Sequence, residues 1–221
     1  MGPEGWEILE NNEERVLKYL SVCSGIEAAS VAWHPLGWEP VGFSEIEPFP
    51  SAVLAHRFPS VKNYGDMTKF KEWEIGKFDV LVGGTPCQSF SIAGLRRGIE
   101  DPRGNLMLTY GAIANHFKPR IIVWENVPGV LSSNGGKDFG TFLGMLGELG
   151  YGFAYRILDA QYFGVAQRRR RVFVVGYLGD WRPAAAVLFE SHSLQWHTPP
   201  SREAGKLLPP CLTAALESAA Q

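Results

Sequence analysis

Short apolar runs bounded by Gly and Pro recur along the chain, alternating with stretches of helix formers. Residues 16–22, 41–43, 61–64, 78–82, 120–124, 155–158 and 172–177 read as strands, because they are short and set off by turn residues. Residues 26–33, 48–56, 104–116 and 138–149 read as helices. Gly37 and Pro40 supply stop signals after the first helix, Pro48 suits the first turn of the second, and Gly150 closes the fourth. Strand alternating with helix predicts an α/β fold around a parallel sheet with right-handed crossovers. Residues 1–15 are acidic and unpatterned, and read as a lead-in to one domain over 16–179. Residues 180–221 hold Pro183, Pro199, Pro200, Pro209 and Pro210, and read as an extended or loosely packed tail with Trp181 and Trp196 as packing anchors.

Composition narrows the class only moderately. The 221 residues are 45% hydrophobic and 20% charged, which suits a globular domain with an ample core. A net charge of −2 gives no global basic signature, so nucleic-acid contact requires a local patch. Cys23, Cys87 and Cys211 are odd in number and far apart, which fits a reducing cytoplasm better than a disulfide framework. His192, His197 and Cys211 have no metal-ligand spacing, so no metal is expected. No apolar run reaches the ~18 residues of a membrane span.

The candidate chemistry collects at the carboxyl ends of the expected strands, where open α/β sheets bind ligands. The run at 78–82 leads into Gly83-Gly84-Thr85-Pro86-Cys87-Gln88-Ser89-Phe90-Ser91. A thiol held there by a stiff Pro turn among polar neighbours suits a nucleophile, whereas most free cysteines are small buried hydrophobes. Ser24-Gly25-Ile26-Glu27 forms the first strand-to-helix turn, and Glu45 ends the second strand about 20 residues later, the place of a ribose-binding acid. The glycine pattern is not that of a pyrophosphate cradle, so a nucleoside such as S-adenosylmethionine fits better. Asp66 either accepts from an adenine amine or caps a turn. Glu125, beside Trp124 and Val127, is expected to have a raised pKa, or else to pair with a nearby arginine. The run Gln167-Arg168-Arg169-Arg170-Arg171 enters the last strand, and alternation sends Arg169 and Arg171 to one side, Arg168 and Arg170 to the other.

Together these segments resemble the motifs of the cytosine-C5 DNA methyltransferases, bacterial and phage members in particular. The resemblance rests on Ser24-Gly25-Ile26, Gly65-Asp66-Met67, Gly84-Thr85-Pro86-Cys87-Gln88-Ser89-Phe90-Ser91, Gly98-Ile99-Glu100-Asp101-Pro102-Arg103-Gly104, Glu125-Asn126-Val127 and Gln167-x-Arg169-x-Arg171. It covers about residues 17–176 in matching order. It implies a Rossmann-like sheet that is mostly parallel, with an antiparallel last strand and helices on both faces.

The resemblance further implies that double-stranded DNA is the substrate and that a cytosine is flipped out of it. Cys87 would attack C6, Glu125 would contact N3 and the exocyclic amine, and Arg171 would hold O2, with Arg169 and Gln167 in support. S-adenosylmethionine would lie against Cys23, Gly25, Ile26, Glu45, Ile46, Asp66, Met67, Pro86 and Leu106. Residues 88–103 would close over DNA, with Gln88, Ser91, Arg103, Gln167, Arg168 and Arg170 as contacts. Two positions depart from the family pattern: Cys23 replaces an aromatic that stacks on adenine, and Glu27-Ala28 replaces a glycine pair. The family's target-recognition domain and final Gly-Asn-Ser motif have no counterpart in residues 181–221. The expectation is therefore a methyltransferase catalytic portion, or alternatively a subunit needing a second chain to read DNA. An RNA-directed cytosine-C5 methyltransferase is the lower-ranked rival.

Overall fold

A computed structural model of the chain describes residues 16–86, 106–164 and 166–189. Six strands form one sheet: β1 (Lys18–Val22), β2 (Glu39–Ser44), β3 (Val80–Gly83), β4 (Ile121–Asn126), β5 (Tyr151–Asp159) and β6 (Arg170–Leu178). Their order is β2-β1-β3-β4-β6-β5. The first four run parallel, and β6 lies antiparallel to both β4 and β5. Among the described residues five α-helices surround the sheet: α1 (Ala28–Trp33), α2 (Pro48–Arg57), α3 (Leu106–Phe117), α4 (Lys137–Glu148) and α5 (Arg182–Leu188).

Strand alternation divides the core between two faces. Leu20 and Val22 of β1, Ile122 and Trp124 of β4, and Val172 and Val174 of β6 share one apolar cluster with residues of α3 and α4. Tyr19 points the other way, edge-on to the Trp33 ring of α1 at 5.0 Å. Val175, with Phe173 packed beside it, joins Ala184 and Leu188 of α5 in a separate cluster. Helices therefore cover both faces. Tyr110 of α3 is fully buried, and its hydroxyl lies 3.0 Å from the carbonyls of Leu81 and Val123, tying the helix to the β3–β4 junction.

Three expectations need correction. Residues 61–64 form no strand; one bridge, Asn63 to Phe43, replaces it. Asn63 instead spends its amide on the loop after β2: Nδ2 donates to the carbonyl of Glu45, and Oδ1 accepts from the Glu45 and Gly65 amides. The stretch after residue 180 is not simply extended. Asp180 takes the Arg182 guanidinium and amide, Pro183 sits in the first turn of α5, and Ala184 and Leu188 pack on β6. Trp181 is no packing anchor by its side chain, since the residue is 61% exposed. Its backbone does the packing, because a Cβ at Gly152 would come within 2.3 Å of the Trp181 amide nitrogen. The lead-in, Trp196 and the rest of the tail lie outside the described residues.

Candidate functional site

The carboxyl ends of β1, β2, β3 and β4 meet the amino end of β6 along one edge of the sheet. The antiparallel run of β6 makes this possible: its first residues, Arg170 and Arg171, lie where the parallel strands finish. Glu125 is opposite Phe173 in the β4–β6 ladder, so Arg171, two residues before Phe173, emerges on the same face as the carboxylate. Arg171 Nε donates to Glu125 Oε1 at 2.8 Å, and Arg169 Nη2 reaches the same oxygen at 4.0 Å. The Glu125 side chain is about one-third exposed, so the pair is open to a ligand.

Trp124 is not the apolar neighbour expected for Glu125. It lies on the opposite face, fully buried, with its ring 4.4 Å from Phe142. The carboxylate's company is cationic. It also presses on the end of β3, since a Cβ on Gly84 would sit 2.8 Å from Glu125 Oε2. Only glycine allows the acid to come this close to the chain between β3 and Pro86.

The next residue is held from the other face. Trp124 Nε1 donates to Thr85 Oγ1 at 3.0 Å, and Asn126 Nδ2 donates to the Thr85 carbonyl at 2.8 Å. Thr85, Trp124 and Asn126 are all buried. Sequence reasoning quoted Thr85 only within a motif and read Trp124 only as an apolar neighbour of Glu125; a polar Thr next to the end of an apolar strand was the available signal.

A second group of residues gathers at the ends of β1 and β2. Cys23, Gly25 and Glu27 have φ values of 50°, 56° and 68°, so the turn after β1 is left-handed at three residues in five. The Glu45 carboxylate closes over it: Oε2 accepts from Gly25 N at 2.8 Å, and Oε1 accepts from the amides of Ile46 and Glu47 at 2.9 and 2.8 Å. Asn63, also unmarked by the sequence reading, fixes the backbone beneath that acid. Cys23 Sγ lies 3.5 Å from Met67 Sδ. Burial, with the Glu45 charge adding to it, pushes this thiol up to about 11. Asp66 caps the helical turn of Met67–Glu72 by accepting from Thr68 N at 2.9 Å. Ile26 and Ile46 are exposed, at 55% and 67%, on either side of the turn. Leu106 packs at the core margin and Pro86 is exposed.

Glu27 has a different role. It caps α1 by accepting from Ser30 N at 3.1 Å, and it is 1% exposed with Oε2 lacking a hydrogen-bond partner. Burial raises its pKa.

The structure therefore brings Glu125, Arg169 and Arg171 together, and separately Cys23, Gly25 and Glu45. Arg168 is exposed, as are Gln167 and Arg170, and Asp159 Oδ1 accepts from Arg169 N to shape their approach to β6. Cys87, Gln88, Ser91 and Arg103 lie outside the described residues. Among the described residues no group of three metal-ligating side chains occurs, and no helix is long and apolar enough to cross a membrane.

Comparison with known proteins adds the following. The sequence model of the family described as C-5 cytosine-specific DNA methylase matches residues 17–213. A DNA N-6-adenine-methyltransferase of Escherichia phage P1 is 46% identical over 267 residues, covering 90% of this chain and 35% of that protein. The orphan methyltransferase M.SPRI of Bacillus phage SPR is 36% identical over 168 residues, covering 74% of this chain and 38% of its own length. The type II methyltransferase M2.BsuMI of Bacillus subtilis (strain 168) is 35% identical over 181 residues, covering 80% and 46%. Among solved structures, S. pombe Dnmt2 methyltransferase superposes with a TM-score of 0.58 at 20% identity, over 74% of this chain and 50% of that one, a likeness of fold. The chain thus spans less than half the length of these three curated relatives.

Proposed function

The chain belongs to the C-5 cytosine-specific DNA methylase family, and we propose that it carries the catalytic centre of a DNA cytosine-C5 methyltransferase using S-adenosylmethionine. The observation that carries this reading is the Glu125–Arg171 pair at 2.8 Å, beside the chain entering the Cys87 loop. A cytosine presents a protonatable N3 and an amine on one side and a carbonyl O2 on the other. A carboxylate accepts from the amine, and from N3 once it is protonated, and a guanidinium donates to the third. Glu125 and Arg171 thus form a matched clamp for that edge, with Arg169 in reserve.

Such an edge is reachable only on a base taken out of the stack. The Cys87 thiolate adds to C6 of the flipped base, and the electron pair displaced onto N3 takes a proton, which Glu125 holds there by accepting from N3–H until the thiolate leaves. C5 then becomes nucleophilic and accepts a methyl group. Loss of the C5 proton to solvent restores the double bond and expels the thiolate. S-adenosylmethionine, when bound, supplies the electrophilic methyl. The residues fit it: the Glu45 carboxylate, held over a left-handed turn, suits ribose hydroxyls, and Ile26 and Ile46 offer exposed apolar surface for a purine. Asp66 has its second carboxylate oxygen for an amine.

The name of the phage P1 relative specifies adenine N6, but it attaches to a protein of which this chain covers 35%. A cysteine three residues after Gly84, with an acid and an arginine at the same sheet edge, suits addition to a pyrimidine. Covalent trapping tests the reading. The purified chain, given S-adenosylmethionine and duplex DNA containing 5-fluorocytosine, should form an adduct that survives denaturation and disappears with Cys87→Ser. An adduct retained in that variant would overturn the assignment of the nucleophile.

A second reading follows from the share of the relatives' length that the chain spans. Base edges in the grooves are read by dedicated side chains. We propose that such readers lie outside the described residues, and that the 221-residue chain alone methylates DNA weakly. Adding a chain bearing a target-recognition domain and a Gly-Asn-Ser segment should raise activity. Robust site-specific methylation by this chain alone would remove this second reading.

A further inference from the structure

Three consecutive residues of β4 fix the two residues that follow β3, from both faces of the sheet. Glu125 occupies the space next to Gly84 on one face. On the other, Trp124 and Asn126 hold the side chain and the carbonyl of Thr85. We infer that the Trp124–Thr85 hydrogen bond is a positioning device that fixes the backbone through Thr85 and so governs the reactivity of Cys87, two residues further on in the sequence. This rests on the proposal that Cys87 is the nucleophile.

Trp124 is a rigid donor. Its ring lies 4.4 Å from Phe142 and 6.4 Å from Phe139, and it is fully buried, so the indole N–H cannot swing to another acceptor without opening the core. Indole nitrogen only donates, and Thr85 Oγ1 at 3.0 Å takes that bond. Thr85 is 3% exposed, so water does not substitute for either partner. Pro86 follows immediately and locks its own φ. The backbone from Gly83 to Pro86 is thus set by the sheet pairing of Gly83, the Asn126 bond to the Thr85 carbonyl, the Trp124 bond to its hydroxyl and the proline ring. An apolar pair would fill the same volume. What the hydroxyl and the indole add is direction.

The test is thiol labelling of the whole chain, which requires neither DNA nor methyl transfer. Iodoacetamide modification of Cys87 and Cys23 is followed against pH by peptide mass spectrometry in the parent, Thr85→Val, Trp124→Phe, the double variant and Thr85→Ser. Valine keeps the shape of threonine and phenylalanine keeps an aromatic ring, so both variants should fold; if valine does not, phenylalanine and serine still decide. The expected result is a change in the Cys87 rate or pH midpoint of about threefold or more, the scale of one hydrogen bond. It should be equal in the two single variants and no larger in the double, absent in Thr85→Ser, and absent at Cys23. An unchanged Cys87 profile in all variants would overturn the inference, even if melting temperatures fall. Failure of the underlying functional reading is seen separately, as 5-fluorocytosine trapping that does not depend on Cys87.

Discussion

Gly84 and Glu125 are matched in space: the hydrogen of the one leaves room for the carboxylate of the other, and a Cβ would stand 2.8 Å from Oε2. The obstructing atom is the far end of a flexible side chain. Gly84→Ala should therefore spare the fold and push the carboxylate away from Arg171. Methyl transfer, measured with labelled cofactor in a form that methylates DNA, is expected to fall by about 10–100-fold, the scale of a hydrogen bond between charged groups. Parent-like turnover in Gly84→Ala would show that the clamp tolerates displacement.

Glu45 draws together the turn after β1 and the loop after β2 through three backbone amides. Glu45→Ala should weaken S-adenosylmethionine binding by ~1–3 kcal/mol, read by calorimetry. Unchanged affinity would remove Glu45 from the cofactor site.

Glu27 is an acid kept from water with one oxygen unpaired. Its pKa is raised by burial from an ordinary 4.5, so the folded chain binds this proton more tightly than the unfolded one. Its contribution is present below pH 4.5 and is lost as pH rises through the folded value. Glu27→Gln keeps a carbonyl to cap α1 and carries no charge. Its melting temperature should exceed the parent's at pH 8 and approach it near pH 4. A parallel pH dependence in the two proteins would contradict this.

Cys23 should be a poor nucleophile. With its thiol pushed up to about 11 by burial and then by the charge of Glu45, almost none is thiolate at pH 8. Alkylation at Cys23 should be slow at that pH and should accelerate in Glu45→Gln. Fast labelling of Cys23 in the parent would mean that the β1 turn opens.

The strands that build the site edge were legible because each is an apolar run ending in Gly, Pro or an acid, and Glu125 with Arg169 and Arg171 could be set on one edge from motif order alone. Neighbour effects were not legible. Trp124 and Glu125 are adjacent in sequence yet face opposite sides of the sheet, so the expected apolar surroundings of the acid were assigned from the wrong dimension. Asn63 sits in a run with strand character, but its amide has a better use in holding the Glu45 backbone. Residues 182–188 were masked by their proline, which starts α5 rather than preventing it. For Asn63 and residues 182–188 a partner elsewhere in the chain decides the outcome, whereas for Glu125 strand alternation already separated it from Trp124.

The insertion of β6 between β4 and β5 sets an order of completion during synthesis. Until residues 170–178 leave the ribosome, β4 is an open edge and β5 has no strand to join, because β6 is its sole ladder partner among the described residues. Over that interval a nascent chain holds four parallel strands, an unpaired Glu125 and a bare row of backbone donors and acceptors on β4, the kind of edge on which chains aggregate. Arrival of β6 covers that edge, recruits β5 and delivers the Arg171 counter-ion in one step. The Glu125–Arg171 pair and the covering of the β4 edge thus depend on one and the same strand.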